Sequence, residues 1–214
     1  MIKAVIFDLD GVLTDTAHYH FQAWQALAHS LGIAFNEQDN EQLKGVDRLG
    51  SLRLILAKGQ LSVDDATEQQ LMAQKNAHYL KLIANMSEAD LFSGVRPLFT
   101  ALKQRGIKLA VASASKNADF VLQRLGIYNE FDAIADAALV KASKPDPEIF
   151  LQAAARLGVA PAQCLGIEDA AAGVSAINSA GMQAIGIGDA EVLHEALRVY
   201  PNIEALDIAT LLTL

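Results

Sequence analysis

Short apolar runs alternate along the chain with amphipathic helical patterns. The runs are Ala4-Val5-Ile6-Phe7, Leu109-Ala110-Val111-Ala112, Leu165-Gly166-Ile167 and Ala184-Ile185-Gly186-Ile187, with Ala133-Ile134 as a further short strand. None of them alternates polar with apolar residues, as expected for strands buried on both faces of a parallel sheet. The order of runs and helical patterns therefore predicts an α/β fold, a parallel sheet covered by helices. Helical patterns stop repeatedly at glycine, at Gly32, Gly106, Gly126, Gly158 and Gly181, where a left-handed cap is wanted. From Asp189 onward the pattern reads as plain helical filler.

One interval breaks the rhythm. About a hundred residues separate Phe7 from Leu109, whereas a crossover between parallel strands needs roughly a dozen or more. The interval is not of low complexity. It carries amphipathic patterns near Thr16–Leu31, Asp47–Ala57 and Asp64–Ala84, and Ser62 and Asp65 stand in capping-box spacing. A helical insertion at 16–86 is predicted, followed by a return helix near Val95–Arg105 that leads into the second strand. The sheet domain is then 1–15 with 87–214.

Composition narrows the function. The chain has 214 residues, 52% of them hydrophobic and 20% charged, a globular balance. A formal charge of −8 argues against nucleic acid and anionic membrane surfaces as partners. No apolar run approaches the roughly 20 residues of a membrane span, and Asp8 comes too early for a signal peptide. Cys164 has no partner for a disulfide, which suits a reducing cytoplasm. An acidic protein that binds phosphate must do so through a local cluster of cations.

Candidate chemistry gathers at the carboxyl ends of the predicted strands. Asp8 and Asp10, two apart in extended backbone, project to one side, while Leu9 faces away. A second acid pair, Glu168-Asp169, follows the strand Leu165–Ile167 at the same edge. Carboxylates this close repel unless a cation or proton sits among them, and such an oxygen set suits Mg²⁺. Each acid taken alone reads equally well as a helix N-cap or turn former. Ser113-Ala114-Ser115-Lys116-Asn117 combines hydroxyls, a helix start and a lysine, which is an anion site or an ordinary N-cap. In Ser143-Lys144-Pro145-Asp146-Pro147 the prolines hold Lys144 in a fixed loop, although a Lys-Pro pair by itself reads as a surface turn.

These four ordered blocks, Asp8-x-Asp10, Ser113, Lys144 and Glu168-Asp169, resemble the haloacid dehalogenase superfamily of phosphotransferases. The resemblance runs from Val5 to about Gly188. It implies a Rossmann-like core with an inserted helical cap domain. It also implies that Asp8 is the nucleophile, Asp10 the general acid–base, and Ser113 and Lys144 the holders of the transferring phosphate. Glu168 and Asp169 would bind Mg²⁺ together with Asp8 and the backbone carbonyl of Asp10.

The insertion narrows the resemblance further. Thr14–Trp24, Leu43-Lys44-Gly45-Val46-Asp47-Arg48 and Lys75-Asn76 are similar to the phosphoglucomutase branch of that superfamily, as is the Ser115-Lys116-Asn117 extension. That branch implies interconversion of beta-glucose 1-phosphate and glucose 6-phosphate through a phospho-aspartyl enzyme and a sugar bisphosphate. It also implies a cytoplasmic monomer whose partners are hexose phosphates. Arg48, Ser115, Lys116 and Asn117 match the positions that grip the far phosphate, and Arg suits it by meeting phosphate bidentately. His20 and Lys75 match cap positions that contact substrate or position Asp10. Gly45, beside Lys44, lets the cap backbone approach the sugar.

Bland readings stand beside these. His20 is a packed core histidine, Trp24 a core residue, Lys75 a solvated lysine, and Arg48 a partner of Asp47. Asp47 departs from the small polar residue expected before the cap arginine, and its charge could draw Arg48 aside. Two other functions share the motif set: a sugar-phosphate phosphatase on the same core, and a non-catalytic sugar-phosphate-binding protein.

Overall fold

The computed structural model describes residues 1–208 and 211. Six parallel strands, β1 (Ala4–Phe7), β2 (Lys108–Val111), β3 (Ala133–Ile134), β4 (Cys164–Glu168), β5 (Gln183–Ile187) and β6 (Arg198–Tyr200), form one sheet in the order β3-β2-β1-β4-β5-β6. The chain walks outward from β1 through β2 to β3 and then returns to place β4 on the other side of β1. The carboxyl ends of β1 and β4 are therefore the point at which strand order reverses, where open α/β sheets form a ligand crevice. In register, Phe7 lies beside Val111 on one side and Ile167 on the other.

Both faces of the sheet are buried, as the unbroken apolar runs require. Val5, Phe7, Leu109, Val111, Leu165 and Ile167 face one core with helix α5 (Val95–Lys103) and helix α6 (Ala118–Arg124). Ala4, Ile6, Ala110, Ala112, Cys164 and Ala184 face the other with α7 (Glu148–Leu157) and α8 (Ala171–Ser179). The second face is dominated by small residues, which lets α7 and α8 lie close to the strands. Cys164 is one of them, a buried thiol whose burial raises its pKa to about 11.

Between β1 and α5 stand α1 (Ala17–Ser30), α2 (Glu37–Glu41), α3 (Arg48–Lys58) and α4 (Asp65–Leu82). A third apolar cluster, including Trp24, Leu27, Leu52, Ile55 and Leu71, lies wholly within these helices and their loops. Tyr79 and Ile83 leave that cluster and join the first sheet core. The two chain segments that connect the helices to the sheet run side by side. Thr14 pairs with Leu91, the Phe92 N–H donates to the Leu13 carbonyl (2.9 Å), and the Thr14 hydroxyl donates to the Asp90 carbonyl (2.7 Å).

The predicted strands and long helices are present within two residues of the expected bounds. All five glycines expected to close helices have positive φ. Three readings differ. The tail after Asp189 is not helical filler: Arg198-Val199-Tyr200 adds a parallel edge strand, and Gly188 N–H donates to the Tyr200 carbonyl (2.8 Å). Val and Tyr favour a pleated surface, and Pro201, which ends the strand, was the signal available. The short helix α2 was absent from the expectation because its five residues bury nothing and so carry no apolar period. The N-cap of α4 is Asp64, whose carboxylate accepts from the Thr67 N–H at 2.8 Å, rather than Ser62.

Candidate active site

Asp8 follows β1 directly, and its N–H donates to the Ile167 carbonyl of β4 at 2.9 Å. That bond sets its side chain beside Glu168, the last residue of β4. Lys144 completes the group from the loop before α7. Its buried ammonium donates to Asp8 Oδ1 at 2.6 Å and to Glu168 Oε2 at 2.7 Å. Glu168 Oε1 accepts from the Asp169 and Ala170 N–H groups, both at 3.2 Å. The Lys144–Pro145 peptide bond is cis.

Two glycines make room for the acids. Gly11 has φ +79°, and a Cβ there would overlap the Asp169 carboxylate. Gly173 lies in α8 where a Cβ would overlap the Glu168 carboxylate, so only a glycine lets that helix start beside the acid.

Ligand oxygens of Asp8, Glu168 and Asp169 lie within 4.8 Å of one another. One buried lysine against three acids leaves the group short of positive charge. The effect shows on the protons. Burial first, then the neighbouring Glu168, raises Asp8 to about 7, against the pull of Lys144. Burial and then Asp8 raise both Asp10 and Asp169 to about 7. Burial also raises Glu168, while the paired acids outweigh burial and raise Lys144. An all-oxygen set that holds protons for want of a cation fits a hard divalent ion. The Asp10 carboxylate stands outside the three-acid group, and its Oδ1 is buried without a hydrogen-bond partner.

A cavity of about 110 Å³ lies between the sheet edge and the helical layer. Asp8, Asp10, Lys144, Glu168 and Asp169 form its floor, and His20, Lys44, Gly45, Arg48 and Lys75 reach it from the helices. Ser115 and Lys116 line it from the loop after β2, next to Ala114. Ser113 and Asn117 do not line it. Ser113 is buried beneath that loop, with its hydroxyl accepting from the Ser115 N–H at 3.1 Å. Asn117 turns instead to the helical layer, where its side-chain amide donates to Asn76 Oδ1 at 2.9 Å.

The helical side is built around a buried lysine and a half-buried histidine. Lys75 is buried, not solvated, with its ammonium 4.7 Å from the Trp24 ring centre and 4.8 Å from that of Tyr79. It lies 2.7 Å from His20 Nδ1. Burial, then the nearby Arg48, brings Lys75 down to about 7. Burial and Lys75 hold His20 well below the usual imidazole range. With Lys75 protonated, the neutral ring accepts at Nδ1 and carries its hydrogen on Nε2, which is buried without a partner. Trp24 serves both readings, buried in the helical core and lining the cavity.

Asp47 does not draw Arg48 aside. It is the N-cap of α3, and its Oδ1 accepts from the Gly50 N–H at 2.8 Å. Asn40 and Ser51 also line the cavity. Sequence reasoning missed both, and single polar residues on helices carry no pattern that would have marked them.

Comparisons with known proteins agree with this geometry. The family model of the haloacid dehalogenase-like hydrolases matches residues 2–181. The beta-phosphoglucomutase of Bacillus subtilis is 49% identical over 192 residues, covering 89% of this chain and 85% of that protein. A phosphorylated carbohydrates phosphatase of Thermotoga maritima is 33% identical over 91% of each chain. The crystal structure of a beta-phosphoglucomutase from Clostridium difficile superposes with a TM-score of 0.97 at 45% identity, over 99% of this chain and 96% of that one. With acids, lysine and cavity arranged as the sequence motifs require, the chain belongs to the haloacid dehalogenase-like hydrolase family, on its beta-phosphoglucomutase branch.

Proposed function

We propose that the chain interconverts beta-D-glucose 1-phosphate and D-glucose 6-phosphate through phospho-Asp8 and beta-glucose 1,6-bisphosphate. The observation that carries this reading is a second polar and cationic group, Arg48 with Ser115 and Lys116, in the same cavity as Asp8. A phosphatase needs one phosphate grip, whereas a mutase that turns a bisphosphate end for end needs two. Residues 1–15 and 87–214 act as the phosphotransfer domain and 16–86 as its cap, a division supported by the separate apolar cluster of the helices.

In the first half-reaction the 6-hydroxyl of glucose 1-phosphate attacks the phosphorus of phospho-Asp8. The acyl phosphate bond breaks, and Asp10 takes the hydroxyl proton. The bisphosphate then presents its other end. Asp8 attacks the C1 phosphate, the bond to the C1 oxygen breaks, and Asp10 returns its proton to that oxygen. A carboxyl group held near 7 by burial and by Asp8 is poised to move a proton both ways. Lys144 neutralises charge on the transferring oxygens and keeps Asp8 aimed. Ser113 holds the loop that carries Ser115, and the far phosphate is gripped by Arg48, Ser115 and Lys116, with Asn117 supporting them from outside the cavity lining. His20 and Lys75 meet the substrate or set Asp10, and Lys44 and Gly45 close over the sugar so that hydroxyls outcompete water.

Mg²⁺ is the ion proposed for Asp8, Glu168, Asp169 and the Asp10 carbonyl, and when bound it would neutralise charge on the transferring phosphoryl oxygens. Its binding has a proton signature. Asp8 and Asp169 hold protons up to about pH 7 in the metal-free fold, above their ordinary value near 3.8. That part of the stability is complete at low pH and fades as pH rises through about 7, while metal binding requires the deprotonated acids. The rise in Tm caused by millimolar Mg²⁺ is therefore expected to be small near pH 5 and large near pH 8. At a hundredfold excess over Kd it corresponds to about 2.7 kcal/mol. A shift that shrinks as pH rises would contradict the assignment.

The activity is tested by supplying beta-glucose 1-phosphate, Mg²⁺ and a trace of the 1,6-bisphosphate, and following glucose 6-phosphate against free phosphate. Dominant phosphate release would make the protein a phosphatase, and neither product would leave a binding protein. Hexose phosphates are the partners this reading requires. No helix among the described residues is long and apolar enough to cross a membrane. A monomeric, cytoplasmic enzyme remains part of the proposal.

A further inference from the structure

Asn117 occupies the N-cap position of α6, where asparagine is among the best capping residues, yet its side chain makes no capping bond there. It reaches across to α4 and donates to Asn76 Oδ1 at 2.9 Å. Among the described residues, no other side-chain hydrogen bond joins the helices α1–α4 to the sheet domain outside the two linkers. Asn76 follows Lys75, which lines the cavity, and Asn117 follows Ser115 and Lys116, which line it from the other side. Both asparagines are half-buried, so the bond is shielded in part from water.

We infer that Asn76 is a positioning residue for the far-phosphate grip, acting through Asn117 and holding the cap to the core at that rim. The bond across the gap is the telling feature. With φ −104° and ψ 12°, Asn117 lacks the extended backbone of a capping residue, and its side-chain amide bonds across the gap to Asn76 instead. The Asn76 carbonyl oxygen takes an amide hydrogen of Asn117 and so ties to α4 the turn that carries Ser115 and Lys116, which do line the cavity. A bisphosphate bound between cap and core thus meets Ser115 and Lys116 on a turn already placed, and less freedom is lost on binding. This rests on the proposed sugar-bisphosphate site, and the test keeps the two apart.

The test is a double-mutant cycle, Asn76→Ala, Asn117→Ala and both together, read as the affinity for beta-glucose 1,6-bisphosphate with Mg²⁺ by calorimetry. It is made in an Asp8→Asn background, where no phosphoryl group is transferred. Asn76→Ala is expected to weaken binding about fivefold, the size of one hydrogen bond, and to have no further effect once Asn117 is alanine. Asn76→Asp, which keeps the acceptor oxygen but adds charge, is expected to retain the Asn117 bond and its protection from hydrogen exchange. Unchanged Tm across the set separates positioning from loss of fold. An Asn76→Ala effect of equal size in the Asn117→Ala background would overturn the inference, as would affinity unchanged by Asn76→Ala. If the cycle behaves as expected while the wild-type protein isomerises nothing, the mutase reading fails and the Asn76 role stands. No bisphosphate binding in the parent overturns both.

Discussion

Asp8→Asn is expected to remove both isomerisation and phosphate release, with a loss on the order of 10⁵-fold or more. The amide is nearly the same shape as the acid but cannot form the acyl phosphate through which both outputs pass. The fold should hold. Asp8 is a buried acid raised to about 7 by its surroundings, and replacing it with a neutral group relieves repulsion with Glu168 while Lys144 keeps its second partner at 2.7 Å. Tm is therefore expected to stay within about 2 °C of the parent or to rise. Incubation with labelled bisphosphate should leave no phosphoryl label on the variant. Sustained turnover, or label on a residue other than Asp8 in the parent, would remove Asp8 from the nucleophile's place.

Lys144→Ala is expected to cost far more stability. The lysine is buried between Asp8 and Glu168, and its removal leaves two acids out of water with no cation. Breaking such a pair costs about 3–5 kcal/mol, or roughly 6–20 °C in Tm for a chain of this size. The sign of the pH dependence follows. Without the ammonium the acids rise further, so they are neutral and harmless near pH 5 and charged near pH 8. The deficit relative to the parent should therefore widen as pH rises. Millimolar Mg²⁺ should recover part of it by placing positive charge among the same oxygens. Thermal melts at two pH values, with and without the ion, make the measurement. A deficit under about 2 °C at pH 8 would show that Lys144 does not balance these acids.

The two variants separate chemistry from scaffolding at a single hydrogen bond. Across the 2.6 Å contact, Asp8→Asn is expected to lose the reaction at little structural cost, and Lys144→Ala to lose stability.

Much of this was readable in advance because the relevant signals are strong and local. Unbroken runs such as Val5-Ile6-Phe7 mark strands covered on both faces, and the period of two placed Asp8 and Asp10 on one side. The convergence of Asp8 and Glu168 followed from each standing at a strand end, whereas Lys144 was brought to them only by the family resemblance. What escaped depends on contacts made across the fold. His20 meets Lys75 over a separation of 55 residues, and Asn117 meets Asn76 over 41. A lysine on a polar helix reads as solvated until another helix covers it. Asp47 looked like a rival for Arg48, yet it sits three residues before an N–H that needs an acceptor, and local geometry claimed it first. The edge strand Arg198–Tyr200 was lost because three residues are too few to show a period.

The place of β1 at the centre of the sheet has a consequence during synthesis. The strand is made before the others of the sheet, but Lys144 lies 136 residues behind Asp8 and β4 follows later still. At about 5–20 residues per second, Asp8 waits roughly 7–27 s before that lysine is even made. Until Lys144 and β4 are made, the Asp8 carboxylate therefore lacks both the ammonium that bonds it and the Glu168 that shares that ammonium.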